Sequence, residues 1–325
     1  MKKFAYLKWA KNWEEIFNQM PWLKIFPSFL RENVIIHFCP LKLKERWIMD
    51  LPGFEVILPF TAEQVNKKAV QVIQDYINKV IERLKTEGVK IICPPKGHSH
   101  EIDFSILEAK GQYVISLLIF EAIKKLSEKL EKPLKYIEIT IIDGQNLRTD
   151  LVLDILYPEL NYLSILTDKT ESFREKAVDI YEDVGLNLQI ISYNKKTVLE
   201  NSDIIIDCRD VYHSSFYYCK KNAIYIYIGG YKEMVRDILL KRKDLKITDN
   251  VSLVLKNESY CADFCEMLWY LSKTWFKNIL SGNYDLALLQ KVIKEIRKEG
   301  WVIGEFYQYG RILDINQFNH IDKIF

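Results

Sequence analysis

The sequence lacks most of the features that would assign it to a special compartment or partner. Six cysteines stand at positions 39, 93, 208, 219, 261 and 265 without a single C-x-x-C pair. That spacing excludes the common zinc and redox motifs, and a chain of this size needs no disulfide staples, so reduced thiols are expected. Cys261 and Cys265 lie four apart, on one face if that stretch is helical, and, with no matching His or Cys pair, read as core packing. Excess charge is absent: 46 Lys and Arg oppose 44 Asp and Glu, a net of +2. A nucleic-acid-binding domain would show a strongly basic face, so no nucleic acid is expected as a partner. No run is long and apolar enough for a membrane span. Val114–Ile123 is interrupted by Ser116 and Glu121 and falls well short of the ~20 residues required. Met1–Met20 mixes Lys, Trp and Glu with no apolar stretch or small-residue cleavage site, so no signal peptide is expected. Internal repeats, low-complexity tracts, a Walker loop, a G-x-S-x-G elbow and an H-E-x-x-H pair are also missing. The expectation is a soluble cytoplasmic protein.

What remains is an ordinary globular balance of 49% hydrophobic and 28% charged residues in 325, enough for two packed domains. The first fifty residues are aromatic and irregular, broken by Pro21, Pro27 and Pro40, with Val34–Phe38 reading as a buried strand. Phe54–Leu58 reads as a second strand. Thr61 then stands at a cap position, with Gln64 three residues on to reach back. A long helix is predicted from there to about Thr86, ended by Gly88, with Val89–Cys93 as a third strand. These elements predict a small α/β domain over residues 1–112, followed by a connector helix, Tyr113 to about Glu131, within 113–134.

Residues 135–256 form a regular βαβ series. Strands are predicted at Tyr136–Ile142, Tyr162–Leu166, Leu188–Ile191, Asp203–Asp207 and Ala223–Ile228, with a helix at Ser172–Val184. Several are continuous apolar runs, as strands buried on both faces should be. The predicted fold class is α/β, a Rossmann-like, mostly parallel sheet preceded by a smaller α/β domain. Lys241-Arg242-Lys243 reads as a solvated basic turn. Val251–Leu255 reads as a strand. Helices at Tyr260–Leu280 and Asp285–Lys298 fill residues 257–325 and are expected to pack back.

The first strand of the series leads into Asp143-Gly144-Gln145-Asn146-Leu147-Arg148-Thr149. A dinucleotide fold places G-x-G-x-x-G there, so that the backbone can approach a pyrophosphate at a helix N-terminus. With Gly144 first, Asn146 and Thr149 occupy the other two glycine positions. Asn tolerates left-handed geometry. Thr opposes close helix–sheet packing, and Asp143 adds negative charge. Two readings stay open: Arg148 offsets Asp143 and the loop grips a nucleotide in a modified way, or the fold remains and the pocket is empty or holds something else. Asp168 follows Gly144 by 24 residues, near the interval for a carboxylate on the ribose 2′-hydroxyl, with Lys169 beside it for a 2′-phosphate. A helix cap before Ser172 is the competing use of Asp168.

The layout resembles the shikimate dehydrogenase and glutamyl-tRNA reductase type of two-domain NAD(P) oxidoreductase. Within it, the chain is most similar to the long-chain acyl-carrier-protein reductase and predicted amino acid dehydrogenase branch. Three segments carry the resemblance: Gly53–Phe60 before the long helix and the Gly88–Ile92 strand; Ala109-Lys110-Gly111-Gln112-Tyr113 at the connector; and Ser259–Leu268 late in the chain. The resemblance implies NAD or NADP as cofactor, held by Gly144, Asn146, Arg148, Asp168 and Lys169, with a small-molecule or nucleotide ligand and a homo-oligomer as partners. The family's glycine-rich loops are altered here, at residues 143–149 and 94–100, and no clear Lys–Asp pair is present. Acyl reduction would need an activated thiolate, for which Cys208 and Cys219 are candidates against a buried structural role. His98 and His100, with Glu101 and Asp103, are candidates for a polar cleft role or for a metal that would need His37 as third ligand, against a solvated loop; no metal is assigned. His213 follows the fourth strand on the same side. The alternative to an oxidoreductase is a catalytically inactive Rossmann-fold binding or assembly protein.

Overall fold

A computed structural model of the chain describes residues 2–38, 41–95, 102–128, 130, 132–193 and 196–313. The chain divides into two compact units: Met1–Lys110 with Glu266–Thr274, and Gly111–Cys265 with Trp275–Phe325.

The first unit is built on a five-stranded sheet. Its elements are β1 (Lys3–Trp9), α1 (Trp13–Gln19), α2 (Ser28–Phe38), β2 (Leu43–Ile48), β3 (Leu51–Leu58), α3 (Ala62–Lys67), α4 (Val70–Thr86), β4 (Val89–Cys93) and β5 (Leu107–Glu108). Strand order is β2-β3-β1-β4-β5. β1 runs parallel to β3 and β4, and β2 is an antiparallel edge on β3. The core gathers Leu7, Val56, Leu58 and Ile92 from the sheet with Ile73, Tyr76, Ile77, Val80, Ile81 and Leu84 from α4. That helix therefore presents one stripe at helical spacing. Phe4 pairs with Gly53 across β1 and β3, and a Cβ on Gly53 would sit 2.5 Å from the Phe4 ring.

Three expectations for this unit need correction. Val34–Phe38 is not a strand but the end of α2. A short apolar run cannot distinguish the two states, and only Ile35 of this helix is buried. The central strand β1 gives no clean alternation in sequence because Lys3 and Lys8 stand on opposite faces of it; Lys8 carries its ammonium out to Glu55, 2.8 Å away. The single helix expected after Thr61 is two. The capping box forms, with Gln64 N–H on Thr61 and Thr61 N–H on Gln64, but Lys68 and Ala69 are extended and separate α3 from α4.

The second unit begins with α5 (Gln112–Leu117) and α6 (Ile119–Ser127), a connector broken at Leu118 rather than one helix. Its main sheet comprises β6 (Ile139–Ile142), β7 (Leu163–Thr167), β8 (Gln189–Ser192), β9 (Ile204–Asp207), β10 (Ile224–Tyr227) and β11 (Lys246–Thr248), with α7 (Leu147–Leu156), α8 (Ser172–Val184) and α9 (Lys232–Lys241) between strands. The order is β11-β10-β9-β6-β7-β8 and every pair is parallel. Counted from β6, that is the doubly wound Rossmann order 3-2-1-4-5-6. β6, β9 and β10 are buried at every residue, as expected of strands covered on both faces.

The end of the chain adds more than helices. β12 (Asn250–Leu255), β13 (Glu258–Cys261), β14 (Val302–Gln308) and β15 (Arg311–Ile312) make an antiparallel sheet in the order β13-β12-β14-β15. The helical segments are α10 (Ala262–Ser272), α11 (Thr274–Leu280) and α12 (Leu286–Lys298). The basic turn is not loosely solvated either. Arg242 is bidentate on Asp244 and donates to the carbonyls of Phe216 at 2.7 Å and Cys219 at 2.9 Å. Among the described residues, no helix is long and apolar enough to cross a membrane.

Gly53→Ala is expected to lower unfolding stability by about 1–3 kcal/mol, because the buried Phe4 ring must shift to admit one methyl group. A urea midpoint equal to that of the wild type would contradict this packing.

Candidate functional site

In a sheet of this order, the crevice opens outside the carboxyl ends of the first and fourth strands, where the connections diverge. Here those strands are β6 and β9, which pair so that Ile142 lies beside Asp207. The next residues, Asp143-Gly144 on one side and Cys208 on the other, form the rim.

Asp143 is buried and committed. Its Oδ2 accepts the Thr167 hydroxyl at 2.7 Å and its Oδ1 accepts the Gln145 N–H at 2.6 Å. Thr167 accepts in turn from the Lys169 N–H at 2.9 Å. A hydrogen-bonded chain thus ties the end of β6 to the end of β7. The charge that looked adverse to a phosphate holds two strand ends together.

Gly144 approaches β9 so closely that a Cβ there would overlap the Cys208 carbonyl oxygen. Its N–H donates to the Thr149 hydroxyl at 3.0 Å. Gln145 takes a left-handed φ of 52°. Asn146 caps α7: its Oδ1 accepts the Thr149 N–H at 3.2 Å, and its Nδ2 donates to the Cys208 carbonyl at 2.8 Å. The positions that matched the glycine fingerprint are therefore joined to one another and to β9. The N–H groups of Gly144 and Gln145, which a pyrophosphate would need, are taken by side chains of the same loop.

Arg148 follows in the first turn of α7 and is buried. Its guanidinium pairs with Asp210, donates to Gln112 Oε1 at 2.6 Å, and reaches the Cys208 carbonyl at 3.4 Å. Asp210 also accepts the Gly230 N–H at 2.6 Å. Arg148 therefore joins the loops after β6, β9 and β10 to the start of α5. Its Nε has no hydrogen-bond acceptor among the described residues. Sequence reasoning missed Gln112 and Asp210 as its partners. The available signal was an arginine in the first turn of a helix whose other charged residues, Asp150 and Asp154, are both acidic.

Asp168 and Lys169 are exposed just beyond β7. The cap that was the competing use of Asp168 does not form: the N-cap of α8 is Glu171, and no side chain caps it. Cys208 is wholly buried, and burial, followed by the neighbouring Asp207 carboxylate, pushes its thiol well above the ordinary range. That environment opposes the thiolate a nucleophile requires, so the contribution of Cys208 to the rim is its carbonyl oxygen. Burial likewise pushes the Cys219 thiol up to about 12.

A second polar group lies at the end of β9. Asp207, fully buried, accepts the Tyr225 hydroxyl at 2.7 Å, the Arg209 N–H at 3.1 Å and His213 Nε2 at 2.9 Å. The Ser215 N–H donates to His213 Nδ1 at 3.3 Å, which assigns the proton to Nε2. Both ring nitrogens are occupied, so this histidine orders a loop and presents no free base. His98, His100 and Glu101 lie outside the described residues. His37 lies in the last turn of α2 and is exposed. Among the described residues, no three His, Cys, Asp or Glu side chains gather as a metal site.

Gly144→Ala is expected to cost about 3 kcal/mol of stability, since the new methyl meets main chain rather than a flexible side chain; a wild-type urea midpoint would contradict it. Native alkylation by iodoacetamide at pH 8, read by mass spectrometry, should spare Cys208 and Cys219 and modify the less buried Cys261, with all three reacting in denaturant. Rapid native labelling of Cys208 would contradict its burial.

No protein-family model matches the sequence, and no curated protein matches it. Among solved structures the chain is similar to L-tryptophan dehydrogenase from Nostoc punctiforme, 12% identical over 92% of this chain and 83% of that one, with a TM-score of 0.35. It is similar to the NAD-dependent formate dehydrogenase from Staphylococcus aureus in complex with NAD, 12% identical over 76% and 80%, TM-score 0.34. It is also similar to aspartate transcarbamoylase from Trypanosoma cruzi, 12% identical over 70% of each chain, TM-score 0.29. Two of these three structures are dehydrogenases, one of them NAD-dependent, and the third is a transcarbamoylase. They do not single out the shikimate dehydrogenase or acyl-carrier-protein reductase branch. The Rossmann assignment rests on the strand order and register of the second unit.

Proposed function

We propose that this chain is a Rossmann-fold binding protein related to the NAD(P)-linked oxidoreductases, and that its switch-point loop does not seat a dinucleotide. The observation that carries this reading is the occupation of the Gly144 and Gln145 N–H groups by Thr149 and Asp143. A pyrophosphate would have to displace both side chains, at about 1 kcal/mol for each bond lost, and then lie beside the Asp143 carboxylate. The tethers from Asn146 and Arg148 to the Cys208 carbonyl hold the loop in this closed form.

One observation favours the second reading, an active NAD- or NADP-linked oxidoreductase. Asp168 is exposed and uncommitted as a cap, one residue past β7, where a ribose-binding carboxylate stands in this fold, with Lys169 beside it. Under that reading, Gly144, Asn146, Arg148 and Asp168 hold the cofactor.

Calorimetric titration with NAD, NADH, NADP and NADPH separates the two. The wild type is expected to show no saturable binding up to about 1 mM. Asn146→Gly with Thr149→Gly, which restores the fingerprint glycines and frees the Gly144 N–H, should bring binding into range. Saturable wild-type binding that Asp168→Ala weakens would overturn the closed-loop reading in favour of the oxidoreductase.

A further inference from the structure

The first unit has a switch point of its own. Its parallel strands lie in the order β3-β1-β4-β5, and the chain passes from β1 to β3 on one side before adding β4 and β5 on the other. β1 is thus the strand at which the winding reverses, and ligands of open α/β sheets bind outside the carboxyl end of such a strand. A cavity of about 750 Å³ lies at that end of β1. Its volume is within the range of small-molecule sites, roughly 300–1,000 Å³.

The lining combines aromatic rings with an excess of positive charge. Trp9 and Trp13 border it, and so do Lys8, Lys11 and Lys67, against Glu63 as the one acid among the described residues. Trp9 is buried, and Trp13 stacks on Phe17 at 5.6 Å, so both rings are held before any ligand arrives. The lysines differ in their commitments. Lys8 pairs with Glu55 at 2.8 Å and Lys67 with Glu63 at 2.5 Å, whereas Lys11 has no ion-pair partner among the described residues. The neutral polar groups are engaged: Asn12 caps α1, and Thr61 and Gln64 bond each other. One point charge without surrounding donors suits a carboxylate better than a phosphate, which collects several hydrogen bonds.

We propose that this cavity binds a small aromatic carboxylate, with its ring against Trp9 and Trp13 and its carboxylate on Lys11. Lys11 is exposed, so its pairing contributes specificity and the ring contact contributes most of the affinity.

Calorimetry on the full chain with indole-3-acetate tests the assignment, with indole-3-acetamide and inorganic phosphate as comparison compounds. Saturable binding of the acetate is expected, about fivefold tighter than the amide. Lys11→Gln, at an exposed position, should remove that fivefold preference. Trp13→Ala should weaken both compounds by about tenfold or more, with Trp13→Phe retaining most of the binding. No saturation by about 10 mM, equal affinity for acetate and amide, preference for phosphate, or unchanged binding in Lys11→Gln would each overturn it. A Trp13→Ala chain that fails to fold leaves Lys11→Gln to decide. Because none of these compounds is a dinucleotide, the result is independent of the closed-loop reading.

Discussion

The carbonyl oxygen of Cys208 is the point on which the second unit's switch region depends. Gly144 passes so close to it that no side chain fits, and Asn146 and Arg148 both donate to it. The contact fixes the turn after β6 against the turn after β9. Arg148 then extends the connection to Asp210, and through Asp210 to Gly230. A guanidinium this buried is tolerated only while its partners remain, since an unpaired buried charge is far more costly than the pair. The arrangement is therefore held from several sides at once.

The two units treat the same topological opportunity in opposite ways. Each has a β-strand at which the winding direction reverses, and each places a turn and a helix start beyond it. In the first unit that place contains a cavity edged by tryptophans and lysines. In the second it is filled by the chain's own polar groups, each hydrogen-bonded to another. Fold alone does not decide whether a crevice is open; the side chains of the first helical turn do.

The second unit was the more legible in sequence, and for a physical reason. Strands buried on both faces are mostly apolar along their length, and β6, β9 and β10 stood out on that account, although Thr140 and Asp207 lie within β6 and β9. The capping box at Thr61 was legible because it rests on contacts three residues apart. The misses share a cause as well. β1 is masked by its two lysines, and the apolar run Val34–Ile36 belongs to α2, a helix with one buried residue. Within the candidate site, Gly144 and Asn146 were singled out by spacing and Arg148 as a counter-charge to Asp143. Their partners Cys208, Asp210 and Gln112 lie from 36 to 64 positions away in sequence, and no local pattern reports contacts at that distance.

The spacing of Gly144, Asn146 and Thr149 takes on a different meaning once their contacts are known. The first position must be glycine because β9 is close, whether or not a phosphate is near. The third position caps the helix and crosses to the neighbouring strand, for which a short polar amide serves better than glycine. The sixth sits one helical turn further on, where a hydroxyl can return to the first N–H. All three requirements come from joining a buried strand to a buried helix by the shortest turn. A dinucleotide-binding loop meets the same constraint and adds one more: N–H groups left unpaired for the ligand. The spacing therefore reports the strand–turn–helix geometry, and whether those N–H groups are vacant reports the cofactor. In this chain the geometry is present, and two of the N–H groups are occupied.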